Sequence, residues 1–175
     1  MDRTSLKAAQ DPLKQRYRED SGSAVVTMHA SGTLHGAGVT CSVQTGQALV
    51  EAGLHEAGGG DGTFACSGDM LLQALVACAG VTLRAVATSM GVEVGSGVVR
   101  AEGDLDFRGT LGVDKTAPVG FREVRMSFAL QTDADPDTVA TLIKLTERYC
   151  VVLQTITHPP GVSVVHSVSA EPVPA

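Results

Sequence analysis

The chain has 175 residues, of which 43% are hydrophobic and 18% charged, and a formal net charge of -6. That length and apolar content fit one folded domain with a real core and exclude a disordered chain. The negative charge, with two Tyr, four Phe and no Trp, leaves no basic surface for phosphate backbones or anionic lipid and few platforms for bases, so neither nucleic acid nor membrane is an expected partner.

The N-terminal "MDRTSLKAAQDPLKQRYRED" lacks the apolar core of a signal peptide, and no run approaches the ~18 uninterrupted apolar residues of a membrane span, so a soluble cytoplasmic protein is expected. Residues 5–20 predict a short charged helix interrupted at Asp11-Pro12, because proline disfavours helical backbone in the residue before it. They form an extension, residues 1–20, ahead of a single domain over 21–170 and a frayed tail over 171–175. "SAVVTMHASGTLHGAGVTCSVQTGQALVEAGLHEA" alternates β-branched residues with glycine breaks, which predicts short antiparallel strands, one of them holding Cys41. After the break "GGGDG", Ser67 or Asp69 is placed to cap a helix that runs to about Met90 and stops at Gly91.

"VEVGSGVVRAEGDLDFRG" and "GFREVRMSFALQT" read as two strands of one sheet, the second alternating Val124, Met126, Phe128 and Leu130 against polar or small residues. Between them "TLGVDKTAPVG" is longer than a hairpin turn and is expected to fold over a neighbouring surface. A second helix starts with Asp135 as N-cap and Pro136 at its first position, with Val139, Leu142, Ile143, Thr146, Tyr149 and Cys150 on one stripe. "VSVVHSVSA" then predicts a last strand. Two helices among groups of strands, without βαβ alternation, give an α+β fold with antiparallel sheets. The first helix is apolar almost all round, with Gln73, Arg84 and Thr88 as its polar edge. Such a helix is buried on all sides, and one small domain cannot cover it, so a homodimer is expected.

Four cysteines, Cys41, Cys66, Cys78 and Cys150, are too sparse for a disulfide scaffold, and none lies in a C-x-x-C or zinc-type cluster. The five histidines are scattered, with no one-turn pair for a metal, and no nucleotide or hydrolase fingerprint occurs, so no metal or organic cofactor is expected. If these thiols matter, their chemistry is redox or nucleophilic. Cys78 reads either as a small core residue or as a reagent. Cys78 and Cys150 lie on the faces by which the two helices would meet, and helix axes about 8–10 Å apart bring facing cysteines within range of a bridge after modest adjustment. Cys78, mid-helix, gains no help from either helix pole, whereas Cys150 near a helix C-terminus meets negative dipole character. Cys78 is the better attacking thiol, given a nearby cation. Cys66, where a helix N-terminus could stabilise a thiolate, competes for the role. Arg84, six residues after Cys78 and so about 120° round the helix, is expected to face solvent or a partner chain.

"DMLLQALVACAGVTLRAVA", "DFRGTLGVDKTAPVGFREVRMSF" and "LTERYCVVLQTI" resemble, in that order, the first helix, the central loop and strand, and the second helix of the OsmC/Ohr family. The resemblance runs from about residue 24 to 168. It implies an intertwined α+β homodimer, two central helices packed with antiparallel sheets from both chains, and a thiol peroxidase acting on organic hydroperoxides. Cys78 corresponds to the peroxidatic cysteine and Cys150 to the resolving one, with an external dithiol as reductant. Where the family places Pro-Glu at the start of the first helix, this chain has Ser67 and Gly68. Asp69 follows as a shorter acid, and Arg16 and Arg18 are the candidates for the activating arginine that the family draws from its N-terminal portion. The family's proline after the resolving cysteine is Val151 here. The alternative within the same fold is a binding or redox-latched stress protein whose apolar cleft holds a small hydrophobic ligand.

Overall fold

The computed structural model describes residues 2–20, 23, 27, 32–33, 40–44 and 49–168. Most of the strands and turns expected over 24–39, the turn at 45–48 and the tail from 171 lie outside the described residues. Helix α1 (Arg3–Glu19) starts at Asp2, whose carboxylate accepts from the Ser5 amide at 2.8 Å. It runs unbroken through Pro12, which corrects the expected interruption. The carbonyl that loses its amide partner to Pro12 is that of Ala8, an exposed residue, so it is left where solvent can reach it.

Strands β1 (Gly32–Thr33), β2 (Thr40–Gln44) and β3 (Leu49–Gly53) form an antiparallel sheet, with Cys41 opposite Ala52. β4 (Ala65–Cys66) adds to β3 in parallel, the one departure from the antiparallel pattern among the described residues. Gly53 is needed at this junction: a Cβ there would come within 2.8 Å of the Cβ of Phe64. β4 delivers the chain straight into the central helix α2 (Ser67–Met90), so the extended N-cap residue is Cys66, in place of the expected Ser67 or Asp69. At the other end Gly91 takes φ +74°, and its amide bonds back to Ala87 and Thr88, as a glycine stop should.

β5 (Ser96–Leu105) and β6 (Phe121–Gln131) pair antiparallel and lay Val99, Ala101, Val124, Met126 and Phe128 against the helices. On the outer face Arg125 grips Asp104, with Nη2 to Oδ1 at 2.9 Å. Between the strands, a single helical turn, α3 (Phe107–Thr110), is held where Arg108 bonds to Asp106 through both side chain and amide and keeps that carboxyl down at about 2. The Phe107 ring packs on His55, centroids 5.2 Å apart.

Helix α4 (Pro136–Tyr149) begins as expected, with Asp135 accepting from the Thr138 amide at 2.9 Å and Pro136 in the first turn. Leu142, Thr146 and Cys150 are buried, but Tyr149 is 58% exposed under the Arg148 guanidinium, which corrects its place on the buried stripe. Cys150 breaks the helix, and α5 (Val151–Thr157) follows at once. Beyond it residues 161–168 form no strand, and Val162, Val164, Val165 and Val168 are exposed, so the expected last strand has no partner among the described residues of one chain. Two core clusters result, one around Leu83, Ala87, Val94 and Leu142, the other around Leu75, Ala79 and Cys150. Arg84 is exposed, as expected, and ties α2 to the first by donating to the Val94 carbonyl at 2.6 Å. Helix α2 is long and apolar enough to cross a membrane. Within this fold it is the central helix, packed by α4, α5 and β5.

Candidate active site

The two cysteines that spacing set face to face do meet. On α2, Leu75, Ala79, Leu83 and Ala87 are spaced four apart and make one buried stripe; Cys78, half-buried, packs against the cluster of Leu75, Ala79 and Cys150, as do Val99, Ala101, Val124, Met126 and Phe128. Cys150 is fully buried in the same cluster. Its backbone (φ -72°, ψ 104°) leaves helical geometry for a single residue. Its amide still closes α4 on the Thr146 carbonyl at 2.9 Å, and its carbonyl already opens α5 by accepting from Gln154 at 2.9 Å. Cys150 is thus the C-cap of one helix and the N-cap of the next.

That break turns the first amides of α5, which have no partner inside their own helix, toward the sulfur atoms. Burial pushes the Cys78 thiol up, but hydrogen bonds from the Val152 amide, the Cys150 thiol, the Thr82 hydroxyl and the Val151 amide outweigh it, and the thiol ends below the ordinary cysteine value. Cys150 goes the other way. Burial raises it, the Leu153 and Val152 amides offset only part of this, and the adjoining Cys78 adds to the rise. The sequence expectation that Cys78 gains nothing from a helix pole is therefore corrected, because the pole belongs to a different helix.

The other candidates lie elsewhere. Cys66 and Asp69 line a separate hollow of about 340 Å³ with His55, Leu105, Phe107 and Phe121. Asp69 is nine residues before Cys78, roughly 13 Å along the helix axis. Arg16 and Arg18 stand exposed in the last turn of α1, and neither is among the groups that shift the Cys78 thiol. Cys41 is in β2, opposite Ala52. A groove of about 640 Å³ between β6 and α4, lined by Leu130, Val139 and Ile143 among others, shares Met126 and Phe128 with the cysteine cluster. Thr82 and the amides of Val151 and Val152 escaped the sequence reading. One signal for the amides was available: the position after the resolving cysteine holds proline in the OsmC/Ohr pattern, and proline is a residue of helix starts.

Fold and site together define a class: α+β proteins that pair a cysteine of a long central helix with one at the break of a second helix. The profile of the family described as OsmC-like protein matches residues 59–165, and the chain belongs to that family. Its fold is that of solved structures including an OsmC like protein from Mycoplasma pneumoniae, with a TM-score of 0.63 and 13% identity over 77% of this chain and 89% of that one. An organic hydroperoxide resistance protein OsmC from Legionella pneumophila gives 0.60 and 15%, over 77% and 93% of the two chains. An organic hydroperoxide resistance protein from Elizabethkingia anophelis gives 0.60 and 16%, over 77% and 91%. No functionally curated protein matches the chain in sequence.

Proposed function

We propose that the protein is a cysteine-based thiol peroxidase of organic hydroperoxides, working in the cytoplasm as a homodimer. The observation that carries this reading is the pairing of Cys78 with Cys150 in one apolar cluster, with the first thiol shifted toward its charged form and the second away from it. The thiolate is the nucleophile of cysteine, so Cys78 attacks and Cys150 waits. Cys78 sulfur takes the terminal oxygen of ROOH as the O–O bond breaks, and the alkoxide takes up a proton, which leaves a sulfenic acid and an alcohol. Cys150 sulfur then bonds to Cys78 sulfur and displaces the hydroxyl as water. Two electrons from an external dithiol, passed by thiol–disulfide exchange, restore both thiols. The apolar cluster and the adjoining groove suit an alkyl or lipid hydroperoxide. The Legionella and Elizabethkingia relatives, named for organic hydroperoxide resistance, favour the same substrate class. Asp69 is too far from Cys78 to touch it within one chain, so a part for it in activation calls for the second copy.

The test is consumption of cumene and tert-butyl hydroperoxides with a dithiol reductant. Turnover is expected for the wild type, none for Cys78→Ser, and for Cys150→Ser a single oxidation that stops at the sulfenic acid. Unchanged turnover in Cys78→Ser rejects the assignment, and a hydrophobic ligand retained by protein with inert thiols favours the binding protein.

A further inference from the structure

A disulfide is opened by attack at one of its two sulfurs, and the rate depends on which of them the incoming thiolate can reach. The two sulfurs of this pair differ in that respect. Cys150 is 0% exposed, closed in at the junction of α4 and α5. A second copy laid against the chain can only cover more surface, so Cys150 is closed in any assembly of this fold. Cys78 keeps part of its surface. Of its neighbours one turn away on α2, Leu75 is buried, but Ala74 and Val81 are exposed, so the thiol stands at the margin of the buried stripe. A partner on that flank narrows the approach without closing it, because a peroxide that Cys78 is to reduce must still arrive there.

The bond between the two cysteines closes within one packed cluster, and the disulfide inherits the asymmetry. Leaving-group chemistry pulls the other way. Burial holds the Cys150 thiol above its ordinary value, which makes it the poorer leaving group and, on that count alone, the better target. Access decides. A poor leaving group slows each encounter, whereas a sulfur with no exposed surface has no encounters at all.

We propose that the reductant bonds to Cys78, so that the sulfur which attacks the peroxide also receives the dithiol, while Cys150 stays in the core throughout. The inference rests on the reading of Cys78 and Cys150 as the redox pair. One thiol of the dithiol loses its proton and bonds to the Cys78 sulfur; the Cys78–Cys150 bond breaks, and Cys150 departs as a thiolate that takes up a proton and is again a buried neutral thiol. The second thiol, its proton passing to solvent, bonds to the first sulfur of the dithiol and displaces Cys78 as a thiolate. The reductant leaves as a disulfide, two electrons poorer.

The test uses a monothiol, which cannot complete the second step. Full-length wild type is closed with diamide, an oxidant that needs no peroxidase activity, and the loss of two protons is checked by intact mass. It is then mixed with glutathione, stopped in acid at a series of times, digested with pepsin and mapped without reduction, beside a sample unfolded in urea. In the folded protein the glutathione adduct is expected on the Cys78 peptide about tenfold or more over the Cys150 peptide at the earliest times, and in urea on both to a similar extent. Three results overturn the proposal: adduct chiefly on Cys150, equal adducts on both peptides of the folded protein, or a folded disulfide that glutathione leaves closed while it opens the one in urea. If the adduct falls on Cys78 while the wild type consumes no cumene hydroperoxide, the exchange site stands and the peroxidase reading fails. Turnover with the adduct on Cys150 sinks this inference alone, and a chain that diamide does not close between Cys78 and Cys150 sinks both.

Discussion

At the scale of single residues, two chemically identical groups in one cluster have been driven apart by what touches them. Cys78 receives more hydrogen bonds than its burial costs; Cys150 does not. The sign of the consequence follows. A thiol below its ordinary value is charged at lower pH, so as pH rises from 6 to 9 Cys78 becomes nucleophilic first and Cys150 last. Limited alkylation at pH 7 is accordingly expected to modify Cys78 at least several-fold faster than Cys150, as read by peptide mapping, and equal rates would remove the basis for assigning attack to one and resolution to the other. That the two thiols meet was legible from helical spacing. Their inequality was read in the right direction for the wrong reason, because the sequence reading gave Cys150 only the negative end of α4. Its buried sulfur also lies at the amino end of α5, whose existence turns on one residue with ψ 104°.

At the scale of elements, what was legible were the ends that local chemistry dictates. Gly91 stops α2 through a left-handed backbone, and Asp135 with Pro136 starts α4, both as the sequence predicts. The Asp135 carboxylate is held below its usual range by the Thr138 hydroxyl first and its amide second. Asp135→Ala is expected to cost about 1 kcal/mol of stability in denaturant unfolding, with Asp135→Asn or Asp135→Ser recovering most of it. An alanine variant as stable as the wild type would mean that packing alone fixes the start of α4. The elements that were misread depend on neighbours more than on local signals. Pro12 stays inside α1 because the carbonyl it strands is open to solvent; Cys66 displaces Ser67 and Asp69 as the cap because β3 draws Ala65 and Cys66 into a strand. The run "VSVVHSVSA" has a strand's alternation, yet through Val168 it is unpaired among the described residues, since a strand requires an edge as well as a pattern.

At the scale of the whole molecule, that unpaired segment and the central helix pose the same question. One chain buries a single stripe of α2, and Val81 on the same helix remains 72% exposed, while Val164 and Val165 beyond α5 are 88% and 93% exposed. Single apolar residues on a surface are ordinary, but an exposed flank on a helix of this composition together with a bare run of valines is surface that calls for a cover. A second copy supplies one that matches itself, since a two-fold interface sets the same patch against its twin. Size-exclusion chromatography with light scattering at micromolar concentration is therefore expected to give the mass of two chains, and the unfolding temperature is expected to rise with protein concentration, as mass action requires of a dimer that unfolds to monomers. Val81→Asp separates the cases. On a monomer it is a surface change worth within about 0.5 kcal/mol, whereas in a dimer it buries a carboxylate in an apolar seam and should yield a folded or partly folded monomer. A variant that keeps the wild-type mass and melting behaviour would place the seam elsewhere; a wild type that elutes as one chain at every concentration would leave α2 half bare in water, and the homodimer would have to be abandoned.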